Sequence, residues 1–556
     1  MEFMLFRRKK SIQQESSDYS LANIRTSIIG HDHVLPGPFG SRKIFYADYV
    51  ASGRSFQPIE DSIQQHVLPL YANTHTEASA TGRQTSAFRE QARQIISKAI
   101  GATEDDAVLF CGSGCTGAID KLIQILGLKL PDGLDKYGLK AAIAPEKRPV
   151  VFIGPYEHHS NDVQWRETIA DVITIEETAD GLLDIDDLER QLDIHKDRPL
   201  LIGSFSTASN VTGIITDPVP VAKLLHQYGA LAAFDYAAAA PYVPIDINQP
   251  DNAYFDAIYI SPHKYLGGPG TPGILVVKKK WASNKTPVIP GGGTVSYVSP
   301  CAQTYLDDIC HREEGGTPDI IGSIRAGLVF DLKQKIGDDL IAAAEESLAK
   351  QALKHWVEHP NIQILGSQTA KRLPIFSFLV KSNDKFLHYN FVVALLDDLF
   401  GIQARGGCSC AGPYGHRLLD IDLETSQEYE KIISTGLEIL KPGWVRVGFN
   451  YFNSRQEAEL LITAIEWIAY HGHLLLPLYD FDCCTGRWTH HLRKGEALSR
   501  LDALHCQNEQ KRAPVTIQQM TNIAESQIKI AASLPSKPKP QSLQETPEHL
   551  LWFRQD

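Results

Sequence analysis

A lysine that follows a short apolar run has the clearest chemical potential in this sequence. The run 257–260 is followed within four residues by Lys264 and then by a glycine-rich turn, 267–270. A lysine in a partly apolar pocket has a lowered pKa, and its neutral amine can form a Schiff base with an aldehyde. Lys264 is therefore a candidate for covalent attachment of an aldehyde.

A carboxylate occupies a similar place upstream. Asp235 ends the apolar run 231–235 and precedes Lys264 by 29 residues. Pyridoxal 5′-phosphate is the common aldehyde cofactor, and its ring nitrogen needs an acidic partner so that the ring can accept electrons when a Cα bond breaks. Taken alone, Lys264 could be a surface lysine in a loop, and Asp235 a helix cap or a solvated strand end.

A third feature is suited to binding phosphate. Gly112, Gly114 and Gly117 lie between an apolar run and a helical stretch, so backbone N–H groups and a helix N-terminus are free to hold an anion there. Thr116 adds a hydroxyl. A glycine-rich turn is common, so this feature has weight only together with Lys264 and Asp235.

Several motifs recur in the order seen in one enzyme family. The segments 157–161, Glu-His-His-Ser-Asn, and 209–213, Ser-Asn-Val-Thr-Gly, are the most specific. With Lys264 and Asp235 they resemble the class V aminotransferase-fold enzymes, specifically the cysteine desulfurase and selenocysteine lyase group. The resemblance extends over about residues 46–470 and implies pyridoxal 5′-phosphate as cofactor.

The resemblance implies a role for each matched residue in cofactor binding. His158 would stack on the cofactor ring, and Asn210 would touch its phenolic oxygen. The segment 114–118 falls on the family's phosphate loop, and Glu-Gly-Gly-Thr-Pro at 314–318 resembles the segment whose threonine reaches the partner subunit's phosphate. The implied cofactor-binding residues are Lys264, Asp235, His158, Asn210, Cys115, Thr116, Ser261, His263 and Thr317.

The resemblance also implies a nucleophile and a substrate anchor. Residues 404–411, Ala-Arg-Gly-Gly-Cys-Ser-Cys-Ala, resemble the desulfurase segment that carries the catalytic cysteine, which aligns with Cys410. Lys264 would remove the Cα proton of L-cysteine, the Cys410 thiolate would attack the substrate sulfur, and alanine would leave a persulfide on Cys410. Arg446 would pair with the substrate carboxylate, or else be an arginine on an edge strand.

Three departures from the family pattern stand out. Ala238 replaces the glutamine that hydrogen-bonds the cofactor's oxygen, so the electronic tuning of the cofactor is expected to differ. Cys408 and Ser409 replace two histidines beside the nucleophile, so Cys410 could instead be an unreactive thiol. Residues 128–147 read as an insertion, and the last 85 or so residues have no counterpart in the family.

The apolar runs that carry these residues predict the fold. Runs at 107–110, 149–153, 200–205, 230–234, 257–260 and 273–277 alternate with helical or turn-rich segments, as in a mostly parallel sheet covered by helices. We expect an α/β protein, and the family resemblance implies the type I fold of pyridoxal-phosphate-dependent transferases. Its predicted parts are an N-terminal arm (1–40), a large cofactor-binding domain (41–330), a small α+β domain (331–472) and a partly flexible C-terminal extension (473–556).

Composition bounds the class of partner. The chain has 556 residues, 43% apolar and 22% charged, with a net charge of −12, which disfavours nucleic acid. Nine cysteines in so long a chain are typical of reduced thiols, which favours the cytoplasm. Apolar residues precede basic ones at the N-terminus, unlike a secretory signal; Glu2, Glu15 and Asp18 disfavour a mitochondrial presequence. We expect no membrane span.

The sequence supports a ranked set of functions. The first is a cysteine desulfurase-like homodimer with shared active sites, acting on a small amino acid and passing sulfur to an acceptor protein. A second is another class V reaction, such as transamination, epimerisation or elimination, since fold and cofactor do not fix the substrate. A third is a non-catalytic interaction protein. A metal site is not expected, because Cys483-Cys484 and His490-His491 lack the spacing of zinc ligands.

Overall fold

A computed structural model of the chain describes residues 19–74, 76, 78–493, 515–535, 537–538 and 540–555. The chain divides into two units. The large unit comprises the described parts of Met1–Ile29, Tyr49–Glu346 and Thr369–Leu373, and the small unit those of Gly30–Asp48, Ser347–Gln368 and Pro374–Asp556. In the described part of the chain, no helix has both the length and the apolar character needed to cross a bilayer.

A seven-stranded sheet forms the core of the large unit. In chain order its strands are β1 (Asp106–Cys111), β2 (Val150–Ile153), β3 (Asp171–Thr174), β4 (Leu201–Ser206), β5 (Leu231–Asp235), β6 (Ala257–Ile260) and β7 (Gly273–Lys278). Their order across the sheet is β1-β7-β6-β5-β4-β2-β3. All neighbours are parallel except β7, which is antiparallel to β1 and β6.

The sheet confirms the predicted fold class. Every strand except β3 is buried along its whole length, which is why these strands appear in the sequence as continuous apolar runs. The edge strand β3 is half-buried, and the sequence did not predict it. The antiparallel hairpin strand Val295–Val298 pairs with Gln303–Tyr305 outside this sheet.

Helices of the large unit alternate with the strands. The longer ones are α1 (Ala80–Ala99), α2 (Gly114–Ile125), α3 (Ile185–His195), α4 (Pro218–Gln227) and α5 (Ile320–Ile336); α6 (Asp338–Trp356) runs from the large unit into the small one. Shorter helices are Leu21–Thr26, Gln57–Ser62, Asp132–Asp135, Leu139–Ala142, Val163–Arg166 and Ile309–Glu313. Gly337, at φ +93°, separates α5 from α6, which the sequence predicts as one helical linker.

The buried face of α1 includes charged side chains. Arg89 and Arg93 are buried there, and both pair with the buried carboxylate of Glu314. The Nη1 of Arg93 lies 2.9 Å from Glu314 Oε1. Two buried arginines are tolerated because Glu314 accepts hydrogen bonds from both and a second carboxylate lies close by, with Glu90 Oε2 at 3.1 Å from Arg93 Nε and Glu90 Oε1 at 3.8 Å from Arg89 Nη1.

The small unit is built around an antiparallel sheet. Its strands are β8 (Ile362–Ile364), β9 (Ile375–Ser382), β10 (Lys385–Leu387), β11 (Arg405–Gly407) and β12 (Trp444–Gly448), with β8-β9-β12-β11 adjacent in that order and β10 paired with β9. The longer helices are α7 (Tyr389–Phe400), α8 (Leu423–Ile433), α9 (Arg455–His471) and α10 (Ile517–Ala531). Gly412–Leu418 and Gln541–Gln544 are shorter. The unit also contains three short strand pairs: Val34–Leu35 with Arg42–Lys43, Phe45–Tyr46 with Ile402–Gln403, and Tyr479–Phe481 with Trp488–His490.

Towards both ends of the chain, the boundaries between the two units differ from the predicted domain boundaries. Residues 30–48 belong to the small unit, because Phe45–Tyr46 pairs in parallel with Ile402–Gln403. The described part of the predicted C-terminal extension belongs to the same unit, where Leu543, Leu551 and Phe553 are fully buried in its apolar core. Arg7 to Lys10, read from sequence as part of an arm, lie outside the described residues.

Candidate functional site

Asp235 and the segment that carries Lys264 lie at one edge of the large sheet. Asp235 is the last residue of β5, and it pairs in register with Tyr259 of the parallel strand β6. Lys264 ends a single helical turn, Pro262–Lys264, that follows β6. Because β5 and β6 are parallel neighbours, their carboxyl ends place the carboxylate and the lysine segment at the same edge.

The Asp235 carboxylate is buried and has three polar neighbours. It is 3% exposed, and its Oδ1 accepts a hydrogen bond of 2.7 Å from the backbone N–H of Ala237. Burial raises the pKa of Asp235, while the Ala237 N–H, the Lys264 ammonium and the Cys115 thiol act in the opposite direction. A buried carboxylate whose pKa is raised by burial and opposed by neighbouring donors suits a site that exchanges a proton with a bound base.

The predicted phosphate loop packs tightly against the residues before Lys264. Gly114 begins α2 at φ +55°, and the backbone N–H of Cys115 donates a 2.8 Å hydrogen bond to Ser261 Oγ. A Cβ atom on Gly114 would lie 2.8 Å from Ser261 Oγ and 3.4 Å from His263 Nε2. The N-terminus of this twelve-residue helix therefore meets the Ser261 hydroxyl and the His263 imidazole, a combination suited to an anion.

His263 is neutral in this setting. Burial, and to a smaller extent the charge of Lys264, lower its pKa to about 4. Its Nδ1 lies 3.3 Å from Ser52 Oγ, and its backbone carbonyl accepts a 2.8 Å hydrogen bond from Gly53 N–H. The imidazole can therefore donate or accept one hydrogen bond without adding a charge beside Lys264.

A serine that was not singled out in the sequence links Thr116 to His158. Thr116 Oγ1 lies 2.6 Å from Ser160 Oγ, which lies 3.0 Å from His158 Nδ1. The Ser160 backbone N–H also donates to that nitrogen at 3.1 Å. His158 Nδ1 is therefore an acceptor, and the ring orientation is fixed by Ser160. The predicted ring-stacking residue and the predicted phosphate-loop hydroxyl thus belong to one hydrogen-bonded group.

Three further predicted positions lie in the large unit. Asn210 is buried in the segment that follows β4, and Ala238 is buried three residues beyond Asp235. Thr317 is exposed, and its Oγ1 lies 3.5 Å from Asn73 Nδ2. An exposed threonine is compatible with the partner contact that the resemblance implies.

Arg446 lies in the small unit, in a buried pair. It is on β12, 3% exposed, and its Nη2 donates a 2.8 Å hydrogen bond to Asp48 Oδ1. Arg405, its register partner on β11, donates from Nε to the other oxygen of Asp48 at 3.0 Å. Burial lowers the pKa of Arg446, and the Asp48 carboxylate and the Cys410 thiol act in the opposite direction. The sequence reasoning missed Asp48, because no local spacing relates it to arginines more than 350 residues away.

Cys410 lies in a tight turn of the small unit. The Ala411 N–H donates a 3.2 Å hydrogen bond to the Cys408 carbonyl, and the two central residues, Ser409 and Cys410, have φ of +54° and +56°. This pattern defines a type I′ turn. Cys410 is exposed and Cys408 is half-buried. The turn follows β11 directly, and Gly406 and Gly407 belong to that strand.

The predicted residues therefore fall into two sets. Lys264 and the cofactor-binding residues belong to the large unit, whereas Arg446 and Cys410 belong to the small one. Within the described ranges, no group of three or more His, Cys, Asp or Glu side chains is arranged to hold a metal ion.

The sequence as a whole matches a known family. The family model for aminotransferase class V matches residues 45–461, about three quarters of the chain. This chain belongs to the class V aminotransferase family. It is accordingly an enzyme of a pyridoxal-phosphate-dependent family.

Relatives within the class V aminotransferases carry a consistent name. A probable cysteine desulfurase of Streptomyces coelicolor is 27% identical over 67% of this chain and 84% of its own length. One from Halalkalibacterium halodurans is 26% identical over 79% of this chain and 97% of its own. The solved structure of a cysteine desulfurase from Thermococcus onnurineus, 23% identical, covers 81% of this chain and 98% of its own with a TM-score of 0.64, which shows the shared fold.

The large-unit residues fit the cofactor on which class V aminotransferases depend. The buried Asp235 carboxylate lies near Lys264, and a carboxylate is the partner that a pyridine nitrogen requires. The N-terminus of α2 lies close to hydroxyl groups, and backbone N–H groups with hydroxyls are the partners that a phosphate requires. Ala238 is the exception, since it has no amide to offer the phenolic oxygen.

Proposed function

We propose that this class V aminotransferase is a pyridoxal 5′-phosphate-dependent cysteine desulfurase, which converts L-cysteine to L-alanine and leaves a persulfide on Cys410. The observation that carries the proposal is the buried Asp235 within electrostatic reach of Lys264, beside a helix N-terminus suited to phosphate. Similar chains named probable cysteine desulfurases give it further support.

In this proposal the large unit binds the cofactor. Asp235 would hold the ring nitrogen, and His158, oriented by Ser160, would stack on the ring. The N–H groups at the start of α2, with Thr116, Ser261 and His263, would hold the phosphate, with Cys115 lining the loop and Asn210 near the phenolic oxygen. When bound, the cofactor supplies an electron sink that makes the Cα proton of the substrate acidic.

The remaining residues handle the substrate. Arg446 would bind the substrate carboxylate. Because this guanidinium already donates to Asp48, the substrate carboxylate would have to share the guanidinium with Asp48 or displace it. Lys264 Nζ would accept the Cα proton. The Cys410 thiolate would then attack the substrate sulfur, so that the bond from Cβ to sulfur breaks and an S–S bond forms on Cys410.

The proposal includes a homodimer with shared active sites. Thr317 is exposed, and exposed apolar side chains occur in segments near it, at Ile289, Tyr297 and Val298. A second copy of this chain, covering these side chains and receiving Thr317 at its phosphate, is the occupant that the family resemblance suggests. We further propose that the enzyme works in the cytoplasm and passes its sulfur to an acceptor protein.

Product analysis tests the function. Purified protein supplied with pyridoxal 5′-phosphate and L-cysteine should release alanine, and Lys264→Ala should lose both alanine formation and the visible absorbance of the bound cofactor. Cys410→Ala should lose alanine formation from L-cysteine but keep the absorbance, whereas Cys484→Ala, which removes another exposed cysteine, should behave as the wild type. Unchanged alanine formation in Cys410→Ala would overturn the proposed role of that thiol.

A second candidate function is another class V reaction on a different amino acid. The replacement of the family glutamine by Ala238, and of two histidines by Cys408 and Ser409, favours it. Turnover of another amino acid that persists in Cys410→Ala, with no alanine from L-cysteine in the wild type, would select this alternative.

A further inference from the structure

Two thiols share the type I′ turn that carries Cys410. Cys408 is the first residue of the turn and Cys410 the third, closed by the hydrogen bond from Ala411 N–H to the Cys408 carbonyl. Residues two apart in so tight a turn have Cα atoms roughly 5.5 Å apart, which is inside the span that a disulfide bridges. Both thiols are at least partly exposed. Their Cα spacing is thus compatible with a disulfide, and their exposure gives small reactants access.

The structure holds both ends of this turn. On one side, β11 pairs with β12 and packs on Tyr389: a Cβ on Gly406 would lie 2.7 Å from the Tyr389 ring, and one on Gly443 2.8 Å from it. On the other side, Ala411 is fully buried, as is Tyr414 in the helix that follows. The two thiols are thus presented by a turn whose flanks are fixed.

The two thiols have different neighbours. Cys410 lies within electrostatic reach of the Arg446 guanidinium. Cys408 lies near the Tyr389 phenol, whose pKa is raised by burial and, to a smaller extent, by Cys408. The surroundings of Cys410 therefore include a positive charge, whereas those of Cys408 include a phenol. The two thiols of the pair differ in their environment.

We propose that Cys408 is a resolving cysteine for the persulfide formed on Cys410. The proposal rests on the proposed desulfurase function, which supplies that persulfide. The Cys408 thiolate attacks Sγ of Cys410, the bond from that Sγ to the outer sulfur breaks, and the outer sulfur leaves as hydrosulfide with the electron pair and the persulfide proton. A Cys408–Cys410 disulfide forms; the outer sulfur is reduced, the Cys408 sulfur is oxidised, and Sγ of Cys410 keeps its oxidation state.

This step changes how sulfur leaves the enzyme. When no acceptor protein takes the sulfur first, hydrosulfide is released without an external thiol having to reach the persulfide, and the enzyme then remains a disulfide until a dithiol reductant restores both thiols. Without an acceptor protein, the enzyme therefore releases one sulfur atom per reduction, and the supply of reductant sets the rate of repeated turnover.

Mass spectrometry of one peptide tests the proposal. Trypsin cleaves after Arg405 and Arg417, so residues 406–417 form a peptide that contains Cys408, Cys410 and no other cysteine. The full-length protein is loaded with sulfur in two ways, by L-cysteine with pyridoxal 5′-phosphate and by glutathione persulfide, in the absence of reductant. It is then alkylated and digested, and free hydrosulfide is measured.

We expect the wild-type peptide to have lost two hydrogen atoms, with hydrosulfide released. In Cys408→Ser and Cys408→Ala the peptide should instead retain one extra sulfur atom, and hydrosulfide release before reductant is added should fall by about tenfold or more. Cys484→Ser is the matched control and should behave as the wild type.

Retention of the extra sulfur by the wild type, or equal hydrosulfide release from Cys408→Ser, overturns the proposal. So does a failure of glutathione persulfide to place sulfur on the peptide of either protein. If glutathione persulfide gives the expected pattern and L-cysteine gives no alanine, the proposed function fails while the role of Cys408 as resolving cysteine stands.

Discussion

Asp48 holds two arginines of neighbouring strands with its two carboxylate oxygens. Arg446 is buried and Arg405 is about half exposed, and both hydrogen bonds are close to 3 Å. A buried guanidinium whose partner is removed keeps its desolvation cost without compensation. Asp48 is therefore expected to contribute to the stability of the small unit as well as to the state of the proposed substrate anchor.

Neutralising Asp48 tests this contribution. Asp48→Asn keeps the shape of the side chain but removes the carboxylate charge paired with Arg446, so we expect the free energy of unfolding to fall by about 3 kcal/mol. Glu438→Gln removes one partner of the exposed pair Lys441–Glu438 and should cost less than about 1 kcal/mol. Urea denaturation of both variants measures the difference, and an equal small loss in the two would contradict the prediction.

Single residues were predictable from sequence where a local pattern marked them. Lys264 and Asp235 each end an apolar run, and the structure places both segments at one sheet edge. Asp48 carries no such mark, because its arginine partners come from distant strands; Ser160 lies beside His158 in the motif 157–161, but only the folded chain brings it to Thr116. The proposed roles of Lys264, Asp235, Arg446 and Cys410 remain predictions for the experiments above.

At the scale of elements, the turn into α2 has little room for an added side chain. Gly114 has φ +55°, and an added Cβ would lie 2.8 Å from Ser261 Oγ. Gly127, just beyond the same helix, has φ +68° with open space around it. The two glycines share a left-handed backbone conformation but differ in their surroundings. Comparing an alanine at each position therefore separates the effect of backbone strain from the effect of crowding the proposed phosphate site.

We expect Gly114→Ala to weaken pyridoxal 5′-phosphate binding about tenfold or more, because Ser261 and the start of α2 must move apart. Gly127→Ala should destabilise the fold by about 1 kcal/mol through its left-handed backbone, with unchanged cofactor affinity. Titration of the cofactor absorbance measures affinity, and thermal unfolding measures stability. Equal affinities in the two variants would show that Gly114 does not border the cofactor.

Burial decides which elements the sequence could predict. Six of the seven strands of the large sheet are buried on both faces and appear as apolar runs, with ends within one residue of those observed. The edge strand β3 is half-buried and polar at both ends, so it has no such run. Arg89 and Arg93 of α1 escape prediction for the opposite reason, since they are polar and yet buried with Glu314.

At the scale of the whole chain, burial again decides what could be predicted, here for the C-terminal part of the chain. Pro535, Pro538, Pro540 and Pro547 give the C-terminal region the composition of a flexible segment. Residues 540–555 nevertheless place Leu543, Leu551 and Phe553 in the core of the small unit, where the Phe553 ring contacts His388, Phe481 and Trp552. A few large apolar side chains outweigh a proline-rich composition when a core is available to receive them.

The proposed homodimer depends on an apolar surface of the large unit. Tyr297 and Val298 are 68% and 60% exposed on the hairpin Val295–Val298, whose base is linked to the Thr317 segment through the hydrogen bond from Gly316 N–H to Gly292 O. Large exposed apolar side chains beside a residue proposed to reach another subunit are typical of an interface. Burying both on dimerisation would contribute about 3–5 kcal/mol.

Tyr297→Glu combined with Val298→Glu should therefore raise the dissociation constant of the dimer by about a hundredfold or more, because two charges would have to be buried without partners. Leu423→Glu, at a 75% exposed leucine of the small unit, should leave association unchanged. Sedimentation equilibrium over a range of protein concentrations measures both. Since Thr317 is proposed to complete the partner's phosphate site, the monomeric variant should also bind pyridoxal 5′-phosphate more weakly at low protein concentration. A monomeric variant with wild-type cofactor affinity would show that Thr317 does not contribute to the phosphate site, although the proposed interface would stand.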